Sequence, residues 1–344
     1  MIDRCVFYFF NEYEIKPTKK DKKHKLYRNN FFIQNELTNQ SKLLNIKDKE
    51  TMFYLYENKS QLKFTNIHDI TDMETIKQIN NIYSKNDDTI LLEFHNKKLI
   101  EFKNYLQSLK SPRNYLLTII NSYKYLLHSI SLLVTHHIFH NHINFNSIVV
   151  DDNNYFIITN FSFSIHFSHT NIREYIKQFI IEYDPSYLEW PIEFHILAYL
   201  LTNKLNSLSI NNIETVINEH INHHTILNIF GNTIVSSYKD KSIKYFSKYV
   251  NKSYDYILSD ILQYSYTWDN YALSILYLRI LIGIQRSINI KNKFIILFMK
   301  LLVHNIHLIP YERHSIENTA IQFDILLDII ETKDYMEIIH LLSC

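Results

Sequence analysis

Glycine is nearly absent from this chain: its 344 residues hold Gly231 and Gly283 and no others. At the average usage of about 7% a chain of this length carries roughly two dozen, and they supply positive-φ turns and close backbone approach to phosphates. Neither glycine has a second one near it. That excludes a Walker P-loop, a dinucleotide-binding fingerprint and a glycine-rich phosphate-covering loop of the usual kind. Alanine is also rare (Ala198, Ala272, Ala320) while Ile, Asn, Lys and Tyr abound, the mark of AT-rich coding drift. The missing glycines therefore weigh against nucleotide chemistry without deciding it.

Charge narrows the partners. With 36 Lys and Arg against 35 Asp and Glu the formal net charge is +1, which argues against wholesale nucleic-acid binding. The basic run Lys16-Pro17-Thr18-Lys19-Lys20-Asp21-Lys22-Lys23-His24-Lys25 reads as a solvated loop. Cys5 and Cys344 have neither metal nor redox spacing, so a reducing compartment is the simplest inference. The two longest apolar stretches, Leu116–Val134 and Ala272–Ile284, are broken by Lys124, His128 and Arg279, and Val6–Phe10 is too short for a signal-peptide core. The expectation is a soluble intracellular protein that binds neither nucleic acid nor membrane.

Periodicity changes along the chain. Residues 31–64 alternate short apolar runs (Phe31-Phe32-Ile33, Met52-Phe53-Tyr54-Leu55-Tyr56) with polar turns, which predicts several strands. A helix is predicted over Asp69–Tyr83 and a buried strand over Thr89–Phe94. From Asn114 the spacing of Leu116, Ile119, Ile120, Tyr123, Leu126, Leu127 and Ile130 predicts a long amphipathic helix. Ser147–Val150 and Tyr155–Thr159, separated by Asp151-Asp152-Asn153-Asn154, predict a hairpin. The remainder reads as helix after helix. The fold class is α+β: a small β-rich part over 1–94, and a helical part over 95–344 with a helical insertion at about 195–262.

The segment HHIFHNHINFNSIVVDDNNYFIITNFSFSIHF, from His136 to Phe167, resembles the catalytic core of the protein-kinase-like fold. His140-Asn141-His142 falls on that family's His-Arg-Asp, Ser147 on its loop Asn, and Asn160-Phe161-Ser162 on its Asp-Phe-Gly. Pro191-Ile192-Glu193 looks like the Ala-Pro-Glu element, Trp268–Ser274 like the start of the central buried helix, and Pro310-Tyr311-Glu312-Arg313 like the late Pro-x-x-Arg. Thr89–Phe94 resembles the hinge strand, with Glu93 and Phe94 at the adenine pocket, and Phe102–Leu109 resembles the short helix after it. In divergence and composition the chain also resembles kinase-like proteins of large DNA viruses of protists. The resemblance implies two lobes, small and β-rich before large and helical.

The same alignment implies impaired chemistry. Phosphoryl transfer needs metal ions on the phosphates and a group that orients the attacking hydroxyl, yet the three positions hold Asn160, Ser147 and His142. Magnesium prefers hard, anionic oxygen ligands, so no cofactor is expected, and ATP with magnesium would bind only weakly. In the small lobe, Lys63 and Glu74 are weak candidates for the phosphate-pairing lysine and its acid. The architectural positions survive: His140 at the loop, Phe161 under the small-lobe helix, Asp269 accepting loop N–H groups, and Glu193 paired with Arg313. Scaffold without chemistry implies a pseudokinase that binds a protein partner. The alternatives are a divergent Ser/Thr kinase using His142 and Asn160, and a structural virion component with an inherited fold; if viral, the protein resides in host cytoplasm or virion. The cluster His136, His137, His140 and His142, with His136 and His140 on one helical face, lacks the Glu of a metalloprotease motif and has no Cys near it, and His220, His223 and His224 read as a helix surface, so no metal is expected.

Overall fold

The computed structural model describes residues 13–15, 22–62, 89–167, 172–180, 182–288 and 292–343. In chain order the first elements are β1 (Tyr13–Ile15), β2 (Lys22–Arg28), α1 (Phe31–Leu43), α2 (Lys49–Met52), β3 (Asn58–Leu62), β4 (Thr89–His95) and β5 (Leu99–Glu101). Next come α3 (Phe102–Ser108), α4 (Pro112–Thr135), β6 (Ile138–Phe139), β7 (Ile148–Asp151), β8 (Phe156–Ile158) and β9 (Ile165–His166). The rest is helical: α5 (Ile172–Phe179), α6 (Ile192–Thr202), α7 (Ile210–His223), α8 (Asn232–Phe246), α9 (Tyr254–Leu262), α10 (Trp268–Ile288), α11 (Lys293–Asn305), α12 (Ile316–Ile329) and α13 (Thr332–Ser343). The class is α+β, with small antiparallel sheets and a helical majority.

The chain forms two compact units, Met1–Glu101 with Ile148–Ser164, and Phe102–Ser147 with Ile165–Cys344. A division after residue 94 would leave out the hairpin β7–β8, which returns to the first unit. The cause is pairing: β5 lies antiparallel to β7, with Ile100 opposite Val150, and β7 to β8.

In the first unit a four-stranded sheet has the order β1-β2-β4-β3. Alternate residues of β4, Ile90, Leu92 and Phe94, point to one face and form a core with Tyr27, Ile33, Leu37 and Tyr56. That core requires a helix where strands were predicted. Phe31-Phe32-Ile33 opens α1, because the Asn30 side chain caps it by accepting the Ile33 N–H at 3.0 Å and Ile33 and Leu37 recur at helical spacing. Of the strands predicted over 31–64, the described one is Asn58–Leu62, which places Lys59 opposite Leu92 and exposed. The helix predicted over Asp69–Tyr83, and with it Lys63 and Glu74, lies outside the described residues.

In the second unit, Ser111 caps α4 and Pro112 occupies its first turn, close to the predicted start. Its Tyr123 meets Tyr277 of α10, Phe298 of α11 and Phe323 of α12 edge-on at 4.7, 4.8 and 4.8 Å, so four helices converge on one ring. The interval predicted as a helical insertion holds the end of α6 with α7, α8 and α9. His220 and His224 are fully buried rather than surface residues, and only His223 of that group is exposed. Their burial follows from the packing of α7 on α6, which sets the His220 ring 4.9 Å from His195, tilted, and 5.2 Å from His224, edge-on. Among the described residues no group of three or more His, Cys, Asp or Glu is placed to hold a metal ion, and no helix is long and apolar enough to cross a membrane.

Candidate functional site

In the second unit, the loop from His140 to Ser147 is tied down from its start. Asp269, in the first turn of α10, accepts the backbone N–H of His140 at Oδ2 (2.6 Å) and that of Asn141 at Oδ1 (2.7 Å). Asn141 adopts a positive φ of 59°, a conformation that Asn tolerates, and its carbonyl accepts the Trp190 indole N–H at 3.1 Å. Burial pushes the Asp269 carboxyl up to about 6, although its two N–H donors pull the other way.

His142 is buried and its ring is held at both nitrogens. Asn144 Oδ1 accepts the N–H groups of Asn146 (2.8 Å) and Ser147 (3.2 Å), so the orientation of that amide is fixed. Its Nδ2 then donates to His142 Nε2 at 3.3 Å. The proton must therefore sit on Nδ1, which donates to the Tyr187 hydroxyl at 2.5 Å. Burial, with the neighbouring His140 second, holds His142 down to about 3. The ring is neutral at physiological pH. Ser147 is equally engaged: its Oγ accepts the Asn144 N–H (2.9 Å) and donates back to the Asn144 carbonyl (3.1 Å).

The remaining residues of the implied catalytic set belong to the first unit. Asn160 has φ 65° and its Oδ1 accepts the Ser162 hydroxyl. Phe161 is fully buried and meets Phe53 edge-on at 5.9 Å. Asn35 of α1 donates to the carbonyls of Ser162 (2.7 Å) and Ser164 (2.8 Å), and Asn39 donates to Ser164 (3.1 Å). The turn after Asn160 is thus held to α1 through its backbone. Glu93 and Phe94 lie inside the sheet rather than past its end. The Glu93 carbonyl accepts the Glu57 N–H at 2.8 Å, its carboxylate accepts Asn58 Nδ2 at 2.8 Å, and Phe94 stacks on Tyr54. Pairing of β4 with strands on both sides uses the backbone groups that a ligand at Glu93 would need.

Glu193, at the start of α6, and Arg313 form a buried bidentate pair, at 2.6 Å to Oε1 and 2.9 Å to Oε2. Arg313 Nε also donates to the His307 carbonyl (2.7 Å), and its guanidinium lies over the Tyr271 ring. Such a fork is a charge-assisted, geometrically specific contact.

The second unit thus brings together His140, Asn141, His142, Ser147 and Asp269, and separately Glu193 with Arg313. Asn160 and Phe161 form their own cluster with α1. Sequence reasoning missed Asn144, Tyr187, Trp190, Asn35 and Asn39. Asn144 had a local signal, since an Asn followed by Phe-Asn-Ser is suited to accept turn N–H groups. The others act from distant elements and had none. None of His142, Ser147 and Asn160 carries a carboxylate, and the side-chain oxygens of Ser147 and Asn160 are each already hydrogen-bonded within their own unit. Compared with known proteins, the chain matches no family description and no curated sequence.

Proposed function

We propose that this chain is a catalytically impaired protein-kinase-like protein, a pseudokinase that acts as a binding or scaffolding module for a protein partner. The observation that carries this reading is the state of His142, which stands where the resemblance puts the catalytic base. A general base works best with a pKa near the operating pH. At about 3, His142 falls short by about 4 pH units, a deficit on the order of 5 kcal/mol in proton affinity. Its ring is also committed to Asn144 and Tyr187.

The contacts around it support the scaffold half of the proposal. Asp269 anchors the loop through two N–H groups, and the Glu193–Arg313 fork joins α6 to the segment before α12. These hold backbone in place and need no ligand. Metal-dependent transfer also lacks anionic ligands at Asn160 and Ser147.

The test is a melting curve of the purified chain with and without magnesium-ATP, beside a radiolabel-transfer assay. No rise in melting temperature and no transfer are expected. A rise that disappears in Asn160→Ala, or label transfer that disappears in His142→Ala, would overturn the proposal in favour of a divergent Ser/Thr kinase.

A further inference from the structure

An isoleucine stripe on α12 has no role in the fold or the candidate site. Ile321, Ile325 and Ile329 are 57%, 48% and 49% exposed, whereas Ile316, Thr319, Phe323 and Leu326 of the same helix are buried. At 100° per residue the three isoleucines, each four positions from the next, form one slanting ridge over about 12 Å. Single exposed apolar residues are ordinary on a protein surface, whereas three aligned on one helix form a continuous apolar patch that a partner can cover.

The borders of the ridge identify its partner. Glu317, Asp324 and Asp328 fall at helical spacing along one edge, while the amides Asn318 and Gln322 fall along the other. No Lys, Arg or His occurs in α12. On the carboxylate side a groove of about 440 Å³ opens between α12 and α4, lined by Leu127, Ala320, Ile321 and Phe323, with Lys124 and His128 contributed by α4. Lys124 of α4 pairs with Asp324 at 2.7 Å, and this leaves Glu317 and Asp328 as the exposed acids flanking the ridge.

We infer that α12 and the adjoining groove dock an amphipathic helix of a partner protein, one with an apolar stripe and Lys or Arg along one edge. The apolar stripe would cover Ile321, Ile325 and Ile329, and the cations would meet Glu317 and Asp328. A second copy of this chain presenting the same face would bring Glu317 and Asp328 against the same carboxylates, and an anionic lipid surface would meet them too, since Lys124 is already paired with Asp324 and Lys293 is bonded to the Ile329 carbonyl.

Two designed helical peptides of about five turns serve as probes, identical in their leucine stripe but carrying lysines in one and glutamates in the other along one edge. Their binding is read by fluorescence anisotropy against the full chain, Ile325→Glu, and the charge-reversed pair Glu317→Lys with Asp328→Lys. The lysine peptide is expected to bind the unaltered chain at least about tenfold more tightly than the glutamate peptide, and Ile325→Glu to lose about tenfold with its melting temperature unchanged. The charge-reversed variant should prefer the glutamate peptide. Equal binding of both peptides, binding of neither, or an unreversed preference would overturn the inference. So would a concentration-dependent dimer in sedimentation that Ile325→Glu disperses, because the ridge would then be a self-interface.

Discussion

At the scale of single residues, the spacing of His140, His142, Ser147 and Asn160 was legible in sequence, but their ionisation and bonding were not. Sequence gives a histidine's position; its proton depends on groups that fold against it. Tyr187 lies far along the chain from His142, and no periodicity links them. Removing its hydroxyl in Tyr187→Phe leaves the Nδ1–H of His142 without that acceptor in a buried site, which is expected to cost about 1–3 kcal/mol in urea unfolding. Nitrogen NMR of the unaltered chain should show the Nδ1–H tautomer at neutral pH. The Glu193–Arg313 fork offers a sharper contrast. Glu193→Ala strands a buried guanidinium and is expected to cost about 3–5 kcal/mol, whereas Glu193→Leu combined with Arg313→Met should recover much of that loss. If the double variant is as unstable as the single one, the cost lies in packing rather than in the unpaired charge.

At the scale of elements, α4 and the β7–β8 hairpin were legible because each has a strong period or turn signal of its own. The start of α1 was not. Phe31-Phe32-Ile33 is a short aromatic and β-branched run, and such runs fit strand and buried helix alike. What decides for a helix is the Asn30 cap together with Asn35 and Asn39, two buried amides that spoil an apolar pattern but bond the turn after Asn160. They look like surface residues in sequence because their partners are backbone carbonyls that no side-chain pattern encodes. Asn35→Leu removes the donor to Ser162 and Ser164 at once and is expected to lower stability by about 2 kcal/mol despite the added apolar surface. Chemical denaturation checks this, and a stability equal to that of the unaltered chain would mean that the two carbonyls find other donors.

At the scale of the whole molecule, the buried histidines fix how stability depends on pH. His142, His195 and His224 are held down to about 3, 4 and 3, and His220 lies well below its ordinary value, burial being the first cause in every case. His195, His220 and His224 form one cluster of touching rings. Asp184, Arg279, Arg313 and the exposed His223 act on it electrostatically, and among the described residues neither nitrogen of His220 has a hydrogen-bond partner. Because these folded-state values are depressed, the unfolded chain takes up protons first, so stability falls as pH drops below about 6.5 and keeps falling until the folded values are reached. By pH 5 each of His142, His195 and His224 costs about 2 kcal/mol, since the folded value of each lies below 5. His142, His195 and His224 together cost about 6 kcal/mol, and the depressed His220 acts in the same direction; this is comparable with the whole stability of a typical domain, about 5–15 kcal/mol. Asp269 opposes them: its folded value of about 6 exceeds the unfolded 3.8, so its protonation returns about 1–2 kcal/mol over the same interval. The histidines therefore win. The urea midpoint is expected to drop steeply between pH 6.5 and 5, and replacing His195, His220 and His224 with glutamine should flatten that slope even where it lowers the plateau at pH 7. An unchanged slope in the triple variant would assign the acid sensitivity to other groups.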